Sequence, residues 1–340
     1  LIATIKDIAK VAGVSVTTVS RALNGYSDVN EDTRKKIMKV AKQLNYSPNS
    51  LARGLVMNKS KTIGLLVSGM NAKSIKDNFM FQVLCGIHEC VSSKEYDLIL
   101  FSTDSSRQRE KTYTQLCQER RVDGVIIQGI KLDDPYLNEV VESNIPCVLI
   151  DIPVESSTVG YVTTDNVLGA KKAMEHLIEL GHRNIAMVNG YEQAYVSRER
   201  LKGYKSSLRE HGIKMREDWV VDGEFDEKKA EEVVLALLSS SPEITAIFCA
   251  SDVMALGAIK ACRQMGFSVP KDISIVGYDN ILLASYVTPS LTTVGQKVIE
   301  MGYEAADLLI EMLEGRAKKY YRILETELIK RKSSAPVSKH

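Results

Sequence analysis

Apolar residues at the start of the chain fall at Ile5, Ile8, Ala9 and Ala12, the i, i+3, i+4, i+7 spacing of one helix face. Thr4 and Asp7 fit a capping box before it, and Gly13 permits the left-handed backbone that ends it. Ser15 can cap a second helix running from Val16 to Asn24, with Val19 and Leu23 turned inward and Asn24-Gly25 as its stop. A third begins after Asn30, where Glu31 and Asp32 suit the positive end of the helix dipole. Its apolar face is Ile37, Val40, Ala41 and Leu44. Three short helices with a tight turn between the first two predict a helix-turn-helix module.

From Thr62 onward the pattern changes. The runs "TIGLLVS", "DLILFST", "GVIIQG", "IPCVLID", "NIAMVNG", "AIFCASD" and "ISIVGYD" read as strands. Helical stretches lie between them, among them 79–93, 166–180, 200–211, 227–238 and 252–265. Such alternation predicts parallel sheets covered on both faces. Pro48 keeps the third head helix from continuing. Asn49 can then cap a short segment, 50–56, that Gly54 and its few residues leave marginal as an isolated helix.

The outer face of the second helix, in "VSVTTVSRALNG", carries Thr17, Thr18, Ser20, Arg21 and Asn24. Threonine and serine are mediocre helix formers, so they make a poor solvated surface. They suit a DNA groove, because no acid repels phosphate, threonine can donate, accept or meet a thymine methyl, and arginine can bind guanine O6 and N7 together. The charge distribution agrees. Ten Lys/Arg against four Asp/Glu give residues 1–60 a charge of +6, while 34 against 39 leave the remainder at −5. A basic head on an acidic body fits a polyanionic partner, although small domains also fluctuate in charge.

The 340 residues suffice for about two domains. Cys85, Cys90, Cys117, Cys147, Cys249 and Cys262 form no C-x-x-C pair, which favours reduced thiols in the cytoplasm over a disulfide framework. The five histidines do not join cysteines at zinc spacing, so no metal is expected. No apolar run reaches the ~18 residues of a membrane span, and the N-terminus does not read as a signal peptide. No G-x-G-x-x-G or G-x-S-x-G is present, so neither a cofactor nor an enzymatic activity is expected.

In open α/β sheets, ligands bind outside the carboxyl ends of the strands. Those ends carry Asp151, Ser251-Asp252 and Asp279, with Arg198 and Arg200 just beyond "NIAMVNG". Carboxylates and guanidinium groups converging on one rim suit a polyhydroxylated ligand. Asp165 and Asp252 can equally cap the helices that follow them.

"TIKDIAKVAGVSVTTVSRALNG", continued by "VNEDTRKKIMKVAKQLNYSPNSLARGL", resembles the N-terminus of the lactose-repressor (LacI/GalR) family of bacterial transcription regulators. "HLIELGHRNIAMVNG", "SRERLKGYKSSL", "FCASDVMALGAIKA", "PKDISIVGYDN" and "TPSLTTVGQ" resemble its core. The resemblance implies an α/β protein with a three-helix helix-turn-helix head, a hinge helix, and a two-lobed periplasmic-binding-protein-like (type I) core. The expected boundaries are 1–47 for the head, 48–60 for hinge and linker, 61–331 for the effector-binding and dimerisation domain, and 332–340 for a tail.

Carried over residue by residue, the resemblance makes Val16, Thr17 and Arg21 base readers, although spacing alone lets Val16 face inward. Thr18, Ser20 and Asn24 would meet phosphates. In the hinge, Asn49 caps and Ala52 allows close pairing with a second hinge. Leu55 is either a minor-groove wedge or an incidental leucine on a tether.

In the core, Arg200 and Asp279 occupy effector-binding positions, and Asp151 one used by some members. Ser251 stands where several members have Asn. Phe225 falls where an aromatic packs on the ligand, or in the core. After the first core strand, "SGMNAKSIKDNFMFQVLCGI" departs from the family with a longer loop that brings Asp77 and Phe79 to the cleft. It hints at a larger ligand such as an oligosaccharide.

No apolar heptads follow residue 331, so a homodimer on a near-palindromic operator is expected rather than a tetramer. The implied function is a cytoplasmic repressor, associated with the nucleoid when bound, whose partners are duplex operator DNA and a small-molecule effector, a carbohydrate. Two alternatives are a catabolite-control regulator answering to a phosphoprotein, which "VIEM" at 298–301 does not resemble, and a sugar-binding module with no role in transcription.

Overall fold

The computed structural model describes residues 3–46, 60–68, 78–103 and 111–337, and the chain divides into two units, Leu1–Lys61 and Thr62–His340. Asn49, Ala52, Leu55 and Asp77 lie outside the described residues.

In the head, α1 spans Ile5–Ala12, α2 Val16–Leu23 and α3 Glu31–Gln43. Each start has its chemical reason. The Thr4 N–H and hydroxyl both donate to Asp7 Oδ2, at 2.8 and 2.7 Å. Ser15 Oγ accepts the Thr18 N–H at 3.0 Å, and Asn30 Oδ1 accepts that of Asp32 at 2.9 Å. Gly13 closes α1 at φ 67°. Ile8, Ala12, Val19 and Ile37 form the buried centre, with Leu23 and Leu44 packed against it.

The second unit holds two six-stranded sheets, each the spine of a lobe. The strands β1 (Thr62–Ser68), β2 (Asp97–Thr103), β3 (Gly124–Gln128), β4 (Cys147–Ile150), β5 (Val159–Thr164) and β11 (Tyr321–Leu324) make the first, in the order β11-β5-β4-β3-β1-β2. The second runs β12-β10-β9-β8-β6-β7, from β6 (Ile185–Asn189), β7 (Val220–Asp222), β8 (Ala246–Cys249), β9 (Ser274–Asp279), β10 (Thr292–Gln296) and β12 (Thr326–Ile329). Neighbours run parallel except β10 and β12. Most of the central strands are buried along their whole length, as sheets covered on both faces require.

Helices follow the strands: α4 (Phe79–Ser93), α5 (Tyr113–Arg120), α6 (Pro135–Glu142), α7 (Asn166–Glu179), α8 (Tyr195–Glu210), α9 (Glu227–Ser240), α10 (Asp252–Gln264), the single turn α11 (Leu283–Tyr286) and α12 (Val298–Leu313). The helix expected from Arg200 begins five residues earlier, because a turn after β6 already bonds the Ser197 and Arg198 N–H groups to the Ala194 carbonyl. Helices α4 and α12 cross in close backbone contact. A Cβ added at Gly86 would fall 1.9 Å from the Ile299 carbonyl oxygen, and one at Gly302 would fall 2.1 Å from that of Val83.

Among the described residues the chain passes between the lobes three times. The passages are β5 to α7 through Asp165, β10 to α12 through Lys297, and β11 to β12 through Glu325. Asp165 N–H donates to the Leu324 carbonyl at 3.2 Å, so two of the crossings are tied together. Residues 332–337, expected as tail, lie along the second lobe. Ser333 is fully buried, its carbonyl accepts the Ile275 N–H at 2.8 Å, and its hydroxyl accepts the Thr292 N–H at 2.8 Å. His182 reaches the same segment through Nε2, 3.0 Å from the Ala335 carbonyl, and burial lowers its pKa.

Candidate functional sites

On α2 the inward residues are Val19 and Ala22, which leaves positions 16, 17, 20, 21 and 24 on one outer face. Val16 is 42% exposed, so its side chain faces outward, which spacing alone could not decide. Thr17 and Arg21 are exposed, and Thr18, Ser20 and Asn24 are half-buried. The last three have local partners: Thr18 Oγ1 lies 2.8 Å from Ser15 Oγ, and Asn24 Nδ2 donates to Ser20 Oγ at 3.4 Å. Arg21 pairs with Asp28 of the following loop, Nη2 to Oδ2 at 2.5 Å.

In the second unit, a polar network runs through the strand crossings. Arg200, on α8, is 3% exposed and has four neighbours. Its Nε donates to Asn166 Oδ1 at 2.8 Å, its Nη1 donates to the Ala250 carbonyl at 2.5 Å, and Nη1 lies 3.6 Å from Asp279 Oδ1. The guanidinium also lies over the Tyr278 ring, 3.7 Å from its centroid. Asp279 accepts from Gln296 Nε2 at 2.7 Å, and Gln296 Oε1 accepts from the Thr164 hydroxyl at 2.8 Å. Asn166 Nδ2 donates to the Thr164 carbonyl at 3.1 Å and to Thr163 Oγ1 at 3.4 Å. The Thr163 hydroxyl donates to Asp151 Oδ1 at 2.7 Å. Asp151, Thr163 and Thr164 belong to the first lobe, and Asn166, Arg200, Asp279 and Gln296 to the second, so the network spans both. Burial raises the Asp151 pKa above the usual carboxylate value, against the lowering effects of Thr163 and Arg200.

Strained backbone also occurs at the same strand ends. Asp151, Glu224, Phe225, Asp279 and Asn280 all have positive φ, Asp279 at 108°. Non-glycine residues hold such angles at a cost of about 1–3 kcal/mol each, and they cluster at binding sites. Phe225 lies across Gly190, whose added Cβ would meet the ring at 2.0 Å, and stands edge-on to Tyr191 with ring centroids 5.3 Å apart. Lys131 of the first lobe reaches over that Tyr191 ring at 4.8 Å, and the Leu132 N–H donates to the Gln193 carbonyl at 3.0 Å. Thus an aromatic pair and a lobe-to-lobe contact lie beyond the carboxyl ends of β3, β6 and β7.

The structure brings Asp151, Arg200 and Asp279 into one network. It places Arg198 elsewhere, exposed and donating through Nε to the Glu192 carbonyl at 2.9 Å. Phe79 begins α4 and packs on the first-lobe core. Ser251 Oγ caps α10, accepting the Met254 N–H at 3.2 Å. Asp165 caps α7 through the Leu168 N–H at 2.9 Å. Asp252 is no cap. It is fully buried and accepts from the Thr293 hydroxyl at 2.6 Å and the Ile281 N–H at 2.8 Å, so it holds the strained turn after β9. Sequence reading had not singled out Asn166, Gln296, Thr163 or Thr164. Gln128 and Asn189, the last residues of β3 and β6, were also passed over. Both are buried, and Gln128 Oε1 and Asn189 Oδ1 have no hydrogen-bond partner. Their place at strand carboxyl ends is the signal that could have found them.

Burial pushes the Asp252 carboxyl from 3.8 up to about 7. A carboxyl raised in the fold stabilises fully below its unfolded value, and that contribution is lost as pH rises through the folded one. Over that window the wild type should lose up to about 4 kcal/mol relative to a variant that cannot ionise there. Asp252→Asn keeps an acceptor for Ile281 and can donate to Thr293. Melting temperatures of the two proteins should diverge from pH 4 to pH 7 in favour of Asn. Parallel curves would show that Asp252 ionises as freely folded as unfolded.

Comparison with known proteins adds to this geometry. Residues 4–49 match the model for bacterial regulatory proteins of the lacI family, and residues 174–334 that for a periplasmic binding protein-like domain. The chain is 36% identical to the HTH-type transcriptional repressor PurR of Photobacterium profundum, over 97% of this chain and 98% of that one. A complex of the transcriptional regulator CelR with cellobiose superposes with a TM-score of 0.75 at 32% identity, covering 98% of this chain and all of the other. The lac repressor dimer bound to operator and the anti-inducer ONPF gives 0.83 at 28%, with the same coverage. Among the described residues no helix is long and apolar enough to cross a membrane.

Proposed function

The chain belongs to the lacI family of bacterial regulatory proteins, and from that membership we infer a dimeric, sequence-specific DNA-binding repressor controlled by a small carbohydrate held between the lobes of its core. The observation that carries this reading is one chain joining an outward α2 face, whose own residues carry no acid, to a buried polar network strung across both lobes. In that core Arg200 and Asp279 face each other and Gln296 donates to Asp279, groups suited to holding a ligand.

On DNA, Val16, Thr17 and Arg21 are assigned to base edges, and Thr18, Ser20 and Asn24 to phosphates. Asn49, Ala52 and Leu55, outside the described residues, are assigned to DNA contact, with Leu55 as the wedge in the minor groove. The effector residues are Asp151, Arg200 and Asp279, joined by Gln128, Asn166, Asn189 and Gln296, with Phe225 and Tyr191 as a stacking surface. Arg200 is already balanced by Asp279, and the remaining groups are rich in acceptors. That set suits a neutral ligand with many hydroxyl donors and disfavours an acidic one. A disaccharide fits this chemistry, and cellobiose is what the CelR complex contains. Large apolar side chains left exposed on and beside α11, Tyr286 at 76% and Leu282 at 67%, are assigned to the self-contact of the dimer.

The DNA reading is tested with Arg21→Ala. Affinity for a duplex selected by the wild type from a random pool should fall by about 1–3 kcal/mol, with discrimination lost at a single base pair. The wild type should also bind more weakly as salt rises, in proportion to the phosphates neutralised. Equal weakening on every duplex, selected or scrambled, would remove Arg21 from the base-reading set.

A further inference from the structure

In the head, Arg21 is held from two sides. Its edge lies on Asp28, Nη2 to Oδ2 at 2.5 Å, and its guanidinium carbon stands 5.0 Å from the centroid of the Tyr26 ring. The loop that carries both partners is itself fixed. Tyr26 N–H donates to the Arg21 carbonyl at 3.1 Å, Arg34 Nη2 donates to the Tyr26 carbonyl at 2.5 Å, and Val29 is buried in the head core.

The fold does not need this pair. The two side chains are 46% and 52% exposed, and such exposed pairs contribute at most about 1 kcal/mol to stability. What Asp28 does is restrain the one arginine on the base-reading face. A guanidinium carries five N–H donors in a fixed fork. With one Nη hydrogen on Asp28, the other Nη hydrogens remain for the O6 and N7 of a guanine. An arginine already held loses less rotamer freedom on binding. A carboxylate beside it also repels backbone phosphate, which disfavours registers in which Arg21 swings out to a phosphate instead of a base.

We propose that Asp28, with Tyr26 beneath the guanidinium, is a positioning residue that holds Arg21 for base reading and sets how sharply the head discriminates at one base pair. This rests on the base-reading role of Arg21, and the experiment separates the two.

The full-length protein selects a duplex from a random pool. Affinities for that duplex, for each single-base-pair variant and for a scrambled duplex are then measured with wild type, Asp28→Asn, Arg21→Ala and the double variant. Asp28→Asn should lower discrimination at one base pair by about tenfold and tighten binding to the scrambled duplex. The affected position should be the one where Arg21→Ala loses discrimination, and Asp28→Asn should add no further loss in the Arg21→Ala background. Asp28→Glu should recover part of the discrimination, and an unchanged melting temperature would show the head intact. If Arg21→Ala is selective at one base pair while Asp28→Asn leaves discrimination as it was, or shifts all duplexes equally, the positioning role is wrong and base reading stands. If Arg21→Ala itself acts uniformly, both fall.

Discussion

Arg200→Ala should abolish the response to the effector and cost the core several kcal/mol of stability. Arg200 sits at the centre of the interlobe network, giving hydrogen bonds to Asn166 and the Ala250 carbonyl and facing Asp279 and the Tyr278 ring. Truncation removes the cation that faces the nearly buried Asp279 carboxylate. Breaking a buried pair from one side typically costs about 3–5 kcal/mol. A ligand that relied on the same guanidinium should bind on the order of 100-fold more weakly, since a lost hydrogen bond to a charged group is worth about 1.5–3 kcal/mol. Arg200→Lys keeps a charge but not the planar fork, so it should recover part of the stability and little of the affinity. Urea unfolding gives the first quantity. Thermal shifts against a panel of neutral mono- and disaccharides give the second. A sugar that shifts the wild type and Arg200→Ala equally would show that Arg200 only supports the fold.

Gly86→Ala should destabilise the first lobe by about 2–3 kcal/mol, although alanine is the better helix former by about 1 kcal/mol. The reason is backbone against backbone. The new Cβ would lie 1.9 Å from the Ile299 carbonyl oxygen and 2.8 Å from the Tyr303 nitrogen, neither of which can rotate away. The helices would have to separate, and the facing Gly302, equally close to Val83, shows that the crossing is tight from both sides. Separating them also loosens Val83, Ile87, Met301 and Ala305 in the core below. Urea unfolding of wild type and variant measures the effect. Unchanged stability would mean that the crossing relaxes freely.

The elements were legible because their signals are local. Apolar runs marked strands, Thr4, Ser15 and Asn30 marked helix starts, and the hydroxyl-rich face of α2 stood out from ordinary surface. Asp151 and Asp279 were legible as carboxylates at strand ends, and Arg200 as a charge in the segment that follows β6. The residues that connect them were not. Thr164 meets Gln296 across 132 positions of sequence, and Arg200 meets Asn166 across 34. No periodicity encodes such pairings, because they arise where separate strands leave one lobe and enter the other. The adjacent Ser251 and Asp252 show the same limit. Either can cap a helix by chemistry, and only the turn after β9, which needs an acceptor for the Ile281 N–H, decides which one does. Val16 was ambiguous because it stands three before Val19 and seven before Leu23, the spacing of the inward face, and only its exposure in the folded head places it outside.

The placement of β11 and β12 has a consequence for inheritance. These short neighbours, separated only by Glu325, complete sheets in different lobes, and the segment to residue 337 then seals the second. A stop codon shortly before residue 320 would therefore strip an edge strand from each sheet at once. Such an allele should behave as a null, while the DNA-reading end of the gene product is still translated.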